Sequence, residues 1–188
     1  MLSLFERMRP KRWEEVLGQD KAVKTLQRME SRGGLAGKSY WVSGKSGCGK
    51  TSIGRLIAAS AADDWSTYEF TDPSELNAAM LERLRSHKDM RPLGKGYAYI
   101  LNEAHLCSNA LIGKLLGLTE PGCDWITWVF TTTIEGEKGL FEDCIDASPL
   151  MSRCIKLPLQ SRRQALYSFA FVECPLLPLP LGEGFITG

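Results

Sequence analysis

Residues Gly44 to Thr51 read Gly-Lys-Ser-Gly-Cys-Gly-Lys-Thr, a complete G-x-x-x-x-G-K-[ST] phosphate-binding loop. Before it, Ser39-Tyr40-Trp41-Val42-Ser43 is a short, apolar, β-prone run; after it, Thr51 to Ala62 carries Ile53, Leu56, Ile57 and Ala58 at helical spacing. Strand, loop and helix therefore follow in the order the motif needs, which reads as a site for a nucleoside triphosphate. Gly44, Gly47 and Gly49 let the backbone turn its N–H groups inward, and Lys45, Ser46, Cys48 and Ser52 complete the loop and the first helical turn. Lys50 is spaced to reach the β- and γ-phosphates and Thr51 to put its hydroxyl on a metal, so ATP and Mg²⁺ are the implied cofactors.

Outward from the loop, strand-like and helix-like segments alternate. Thr67 to Phe70, Tyr97 to Leu101, Trp125 to Phe130 and Cys154 to Leu157 read as further strands. The run at 97–101 is continuous rather than alternating, as expected of a parallel sheet covered on both faces. Helices are expected from Lys21 to Glu30, from Asp72-Pro73-Ser74 to His87, and from a Ser108 cap through Leu118. Residues 1–20 read as an extended arm and 134–148 as loop. The fold class is α/β, a five-stranded parallel sheet with helices on both faces, whose ligands belong at the carboxyl ends of the strands.

The 188 residues suffice for one full core, and 23 basic against 22 acidic residues give no global field toward nucleic acid or membrane. The six cysteines are scattered singly, with no C-x-x-C pair, which suggests reduced thiols in the cytoplasm and no zinc site. No run of about 18 apolar residues offers a membrane span. The segment 173–188, with prolines at 175, 178 and 180, reads as a disordered, polyproline-like tail.

At the end of the third strand stands Asn102-Glu103. Glu103 is the candidate to activate water, and Asn102 occupies the place of a metal-associated acid, offering only a neutral oxygen. Loss of charge there predicts weakened hydrolysis with nucleotide binding kept, of the order of 10 to 100-fold if the role is indirect. Thr132, ending the next strand, can bond the γ-phosphate or the attacking water.

Together these segments resemble the AAA+ ATPases, and among them the clamp-loader subunits of the replication factor C small-subunit and bacterial polymerase III γ/τ type. Leu4-Phe5-Glu6-Arg7-Met8-Arg9-Pro10 followed by Trp13-Glu14-Glu15-Val16-Leu17-Gly18-Gln19 is similar to that family's N-terminal box, which encloses adenine. The resemblance thus adds Arg9, Pro10, Val16 and Leu17 to the nucleotide site. Asn102-Glu103-Ala104-His105-Leu106, then Leu115-Leu116 and Glu120-Pro121, is similar to the Asp-Glu-x-His-x-Leu stretch and its helix. Thr132 matches the sensor-1 position, and Ser152-Arg153-Cys154 the Ser-Arg-Cys motif whose arginine reaches the ATP of the neighbouring subunit.

Met8 for tyrosine and Asn102 for aspartate depart from the pattern, and the four-cysteine zinc insertion is missing. Residues 1–160 correspond to the nucleotide-binding core, and 161–172 to the beginning of a helical lid. The resemblance implies as partners neighbouring AAA+ subunits, a sliding clamp and primer-template DNA, the last through Arg83, Arg85, Lys88 and Arg91. It implies an ATP-dependent loader or remodeller in DNA replication or repair. A weakly hydrolysing regulatory or stator-like scaffold is the alternative, as is another AAA+ DNA-processing ATPase such as a helicase loader or branch-migration motor.

Overall fold

A computed structural model of the chain describes residues 4–120, 122–143 and 147–160. The expected lid residues 161–172 and tail 173–188, with Pro121, Cys144 and Cys174, lie outside them. The strands are β1 (Ser39–Ser43), β2 (Thr67–Phe70), β3 (Tyr97–Leu101), β4 (Ile126–Thr132) and β5 (Cys154–Pro158). All pair in parallel, in the order β2-β3-β4-β1-β5.

Because successive strand residues face opposite ways, the sheet builds two cores. Tyr40, Val42, Ala98, Ile100 and Val129 meet Leu26 of α2 (Asp20–Ser31) and Ile53 and Ile57 of α3 (Lys50–Ala61). Trp41, Tyr99, Leu101, Trp128 and Phe130 face the other way, against Leu81 and Leu84 of α4 (Ala78–Asp89) and Ile112 and Leu115 of α5 (Asn109–Leu118). Both faces of the central strands are thus covered by helices, which is why β1, β3 and β4 are buried along nearly their whole length.

Strand order sets the site. β4 lies between β1 and β3, with Ser43 abreast of Thr132 and Phe130 abreast of Leu101. The phosphate loop leaving β1, the threonines ending β4 and the Asn102-Glu103 pair leaving β3 therefore sit side by side along one edge.

Three stretches differ from the sequence expectation. The segment 134–148, expected as loop, holds α6 (Ile134–Asp143) and the start of α7 (Ala147–Ser152). Gly136 and Gly139 hide the helical signal, but the Thr133 hydroxyl accepts from the Gly136 N–H at 3.0 Å and so caps α6. The helix expected from Asp72 is broken in two. Asp72 and Glu75 close a reciprocal capping box around a single 3-10 turn, Pro73–Glu75, and Asn77 then starts α4 anew by accepting from the Met80 N–H. The arm at 1–20 is not wholly extended either: it holds a helical turn, α1 (Leu4–Arg7), and a 3-10 turn at Trp13–Glu15.

Candidate nucleotide-binding site

Gly47 and Gly49 have φ of 75° and 95°, a left-handed conformation that costs other residues about 1–2 kcal/mol. Alternating handedness turns successive N–H groups to one side, and Gly49 is also the N-cap of the twelve-residue helix α3, whose positive end adds to an anion's attraction. Lys50 is buried at 8% exposure, and its ammonium donates to the carbonyls of Gly44 and Lys45, each at 3.1 Å. The cation is thus folded across the loop where phosphates would be held. Burial, opposed by the Lys50 charge, raises the Cys48 thiol, so this loop cysteine is not an activated nucleophile. Lys45, Ser46 and Gly47 are exposed, and Thr51 and Ser52 are half-buried at the first turn of α3.

Thr51 donates its hydroxyl to Asn102 Oδ1 at 3.1 Å, which joins the loop to the tip of β3. The same oxygen accepts from the Thr131 hydroxyl at 3.0 Å. On the other side of the amide, Nδ2 donates to the Glu69 carboxylate at 3.1 Å and to the Phe70 carbonyl at 3.2 Å. Those two acceptors fix the amide's orientation, because only an N–H can face both. Glu69 in turn bonds Arg55 at 2.7 Å, Arg55 bonds Glu6 at 2.8 Å, and Glu6 bonds Arg9 at 2.9 Å. Arg55 and Arg9 hold the Glu6 carboxyl below the usual range, and Glu69, then Glu6, raises the Arg55 guanidinium further.

Glu103 is the one non-glycine residue with positive φ, 50°, among the described residues. Strain of this kind collects at functional sites, and here it turns the chain sharply out of β3 into the 3-10 turn Ala104–Leu106. His105 Nδ1 lies 3.4 Å from Glu103 Oε2 and 3.2 Å from Thr132 Oγ1. Thr132 donates to the Thr133 carbonyl at 3.2 Å, so a proton on Nδ1 satisfies both its acceptors. The first turn of α6 presses on the far side of the imidazole, and a Cβ on Gly136 would run into the ring.

The arm is placed by two anchors. Trp13 Nε1 donates to Glu30 of α2 at 3.0 Å, and Gln19 Nε2 donates to the Cys48 carbonyl at 3.2 Å and the Gln160 carbonyl at 2.6 Å. Gln19 thereby ties the end of the N-terminal box to the phosphate loop and to the chain beyond β5. Val16 packs against the α2–α3 core and Leu17 is 43% exposed. Arg9 and Pro10 do not join the loop; they border a groove with Arg55, Leu56, Ala59 and Glu69 beside the middle of α3.

Arg153 directly precedes β5, whose first residue pairs with the first residue of β1. At about 3.3 Å per residue, that sets it roughly 15 Å of strand away from the loop that follows β1, at the opposite end of the sheet. Its guanidinium donates to the Leu116 carbonyl at 2.7 Å and lies 4.0 Å from Glu120, in a hollow lined by Lys38, Ser39 and Trp128. The four basic residues expected to meet DNA are on α4 and just past it, and each has a partner. Arg83 bonds and covers the Tyr68 ring, Arg85 pairs with Glu82, Lys88 donates to the Gly117 carbonyl, and Arg91 lies near Asp124 and over Trp125.

Among the described residues no group of three or more His, Cys, Asp or Glu is placed to hold a metal ion, and no helix is long and apolar enough to cross a membrane. Sequence reading did not single out Glu69, Arg55, Gln19 or His105 as site residues. Glu69 and Arg55 carry no motif, whereas Gln19 and His105 stood inside the two quoted boxes and could have been found there.

No protein-family model matches the chain. It is 29% identical to the DNA polymerase III subunit gamma/tau of Mycobacterium bovis and of Mycobacterium tuberculosis, over 74% of this chain and 28% of theirs. The chain therefore spans little more than a quarter of the length of these relatives. Among solved structures, a DNA polymerase III gamma subunit-related protein of Thermotoga maritima superposes with a TM-score of 0.54 at 13% identity, over 75% of this chain and 46% of that one. A mutant form of RuvB of Thermotoga maritima gives 0.63 at 21% identity, over 86% and 52%. The fold is therefore the one shared with the DNA polymerase III gamma subunit-related protein and with RuvB, a five-stranded parallel α/β sheet.

Proposed function

We propose that the chain is an ATP-binding subunit of clamp-loader-like type in DNA replication or repair, which couples ATP binding and hydrolysis to engagement of partner subunits and DNA. The observation that carries this reading is the division of the sheet into two functional ends. Lys50, Thr51, Asn102 and Glu103 gather at the carboxyl end, while Arg153 stands at the amino end, out of reach of its own loop. An arginine so placed cannot reach its own loop and is free to serve a neighbouring subunit's nucleotide.

The residues fit magnesium-ATP. Loop N–H groups and the Lys50 ammonium would bind the phosphates, and the Thr51 hydroxyl, held by Asn102, would ligate the metal. Bound there, magnesium would neutralise phosphate charge and polarise the transferred phosphoryl group. Glu103 would take the proton of the attacking water, with His105 orienting its carboxylate and Thr132 completing the line toward the γ-phosphate.

One observation favours a second reading, a weakly hydrolysing regulatory or stator-like subunit. The group beside the Thr51 hydroxyl is a neutral amide, and its four hydrogen bonds fix its orientation there.

Titration with a fluorescent ATP analogue, followed by steady-state hydrolysis, tests both. Lys50→Ala is expected to weaken binding roughly 100-fold, the value of a charge-assisted contact of nearly 3 kcal/mol. Equal affinity in the variant would remove the loop assignment. Glu103→Gln is expected to bind as the parent does and turn over about 10²-fold more slowly. A saturated parent no faster than Glu103→Gln would select the scaffold.

A further inference from the structure

Asn102 makes four hydrogen bonds, and their polarity is what an asparagine requires and an aspartate could not satisfy. Its Oδ1 faces two hydroxyls, Thr51 at 3.1 Å and Thr131 at 3.0 Å. Its Nδ2 faces two acceptors, the Glu69 carboxylate at 3.1 Å and the Phe70 carbonyl at 3.2 Å. The other oxygen of Glu69 pairs with the Arg55 guanidinium at 2.7 Å. An aspartate at 102 would set a second carboxylate about one hydrogen-bond length from the first, and at such separations two carboxylates do not both stay charged. The neutral amide at the strand tip is thus matched to a carboxylate supplied by the neighbouring strand.

We infer that Glu69 is the positioning residue of this site: by accepting from the Asn102 amide it holds Oδ1 on the Thr51 hydroxyl, and it thereby sets how the loop receives a metal-bound nucleotide. It is in turn fixed by Arg55, and through Glu6 and Arg9 the line runs on to the N-terminal arm, so the arm's seating and the aim of Thr51 are one connected arrangement. The Glu69–Asn102 pair also makes the site's low charge a built feature, because restoring the acid at 102 alone sets it against Glu69. The inference rests on the proposed nucleotide site for its ligand, though not for the pairing itself.

The test is a double-mutant cycle of Asn102→Asp and Glu69→Gln in the full chain, read in two ways: melting temperature without nucleotide, and the gain in affinity for a fluorescent ATP analogue when Mg²⁺ is added. Asn102→Asp alone is expected to melt about 5 °C lower, the loss of two buried hydrogen bonds and a like-charge contact, with a Mg²⁺-dependent gain no larger than the parent's. Adding Glu69→Gln replaces the facing carboxylate with an amide that can donate to residue 102, while the Phe70 carbonyl is unchanged. The double variant is expected to regain at least half of the lost melting temperature, and its Mg²⁺-dependent gain should exceed the parent's about 10-fold. A double variant that melts no higher than Asn102→Asp would overturn the inference, as would an Asn102→Asp that is as stable as the parent and gains Mg²⁺ dependence by itself. Lys50→Ala runs alongside: if it binds the analogue as the parent does, the nucleotide reading fails, while the nucleotide-free melting cycle still decides the pairing.

Discussion

The phosphate loop and the tip of β3 lie beside each other but are held in opposite ways. Lys50 is bonded to loop carbonyls five and six residues away, so the loop's cation is held from within the loop. Asn102 is bonded to residues 29, 32, 33 and 51 positions away, from three other elements. A local device carries its own conformation wherever the chain takes it. A device assembled from distant segments exists only when the whole sheet is in register, and it can be disturbed from far off.

The sharpest way to break this contrast is through α6. In Gly136→Ala the new Cβ has to displace the His105 ring, which separates Glu103 from Thr132 through a helix neither belongs to. Hydrolysis is expected to fall roughly 10 to 100-fold, as for loss of an orienting partner, while analogue affinity stays within about twofold. A matching loss of affinity would mean that the loop depends on the tip, and the contrast would fail.

Gln19→Ala probes one of the loop's long-range ties, the others being Thr51 to Asn102 and the Gly44 N–H to the Thr132 carbonyl. Gln19 bonds the Cys48 carbonyl and both the carbonyl and N–H of Gln160, so its loss should cost about 1–3 kcal/mol in denaturant unfolding. Affinity should change by less than about threefold if the loop sustains itself. A larger fall would show that the loop, like the tip, borrows its shape.

The smallest effect lies away from both regions. His87 stacks on Tyr97, bonds the Tyr99 hydroxyl, and has its pKa lowered by burial and then by Arg83. The unfolded chain therefore takes up the extra proton more readily, and stability should decline as pH falls below about 6.5. Melting curves from pH 7.5 to 5.5 would show the slope, and His87→Phe should flatten it with nucleotide affinity unchanged. An unaltered slope would assign the acid sensitivity to other groups.

Legibility followed the same division. β1, β2 and β3 could be bounded to the residue, because apolar runs flanked by turn residues carry the signal within five positions. The helices after the phosphate loop and after Ser108 were equally plain. α6 was not, since two glycines mask it and what stabilises it is a threonine cap and the packing of Leu140 in the core. The break before α4 escaped because two good caps, Asp72 and Asn77, stand five residues apart, and only packing decides which one starts the long helix.

For the site, residues 44–51 read by themselves as a phosphate-binding loop and Glu103 stood out at the end of its strand, whereas Arg153 was singled out only by the family resemblance. Which end of the sheet each one occupies came from strand order. So did the meaning of Asn102, which in sequence is a missing charge and in the folded chain is an amide facing Glu69 across a strand boundary. The physical reason is range: backbone conformation and helix periodicity are set within a few residues, whereas the polarity around a buried side chain is set by whatever the fold brings within about 3 Å of it.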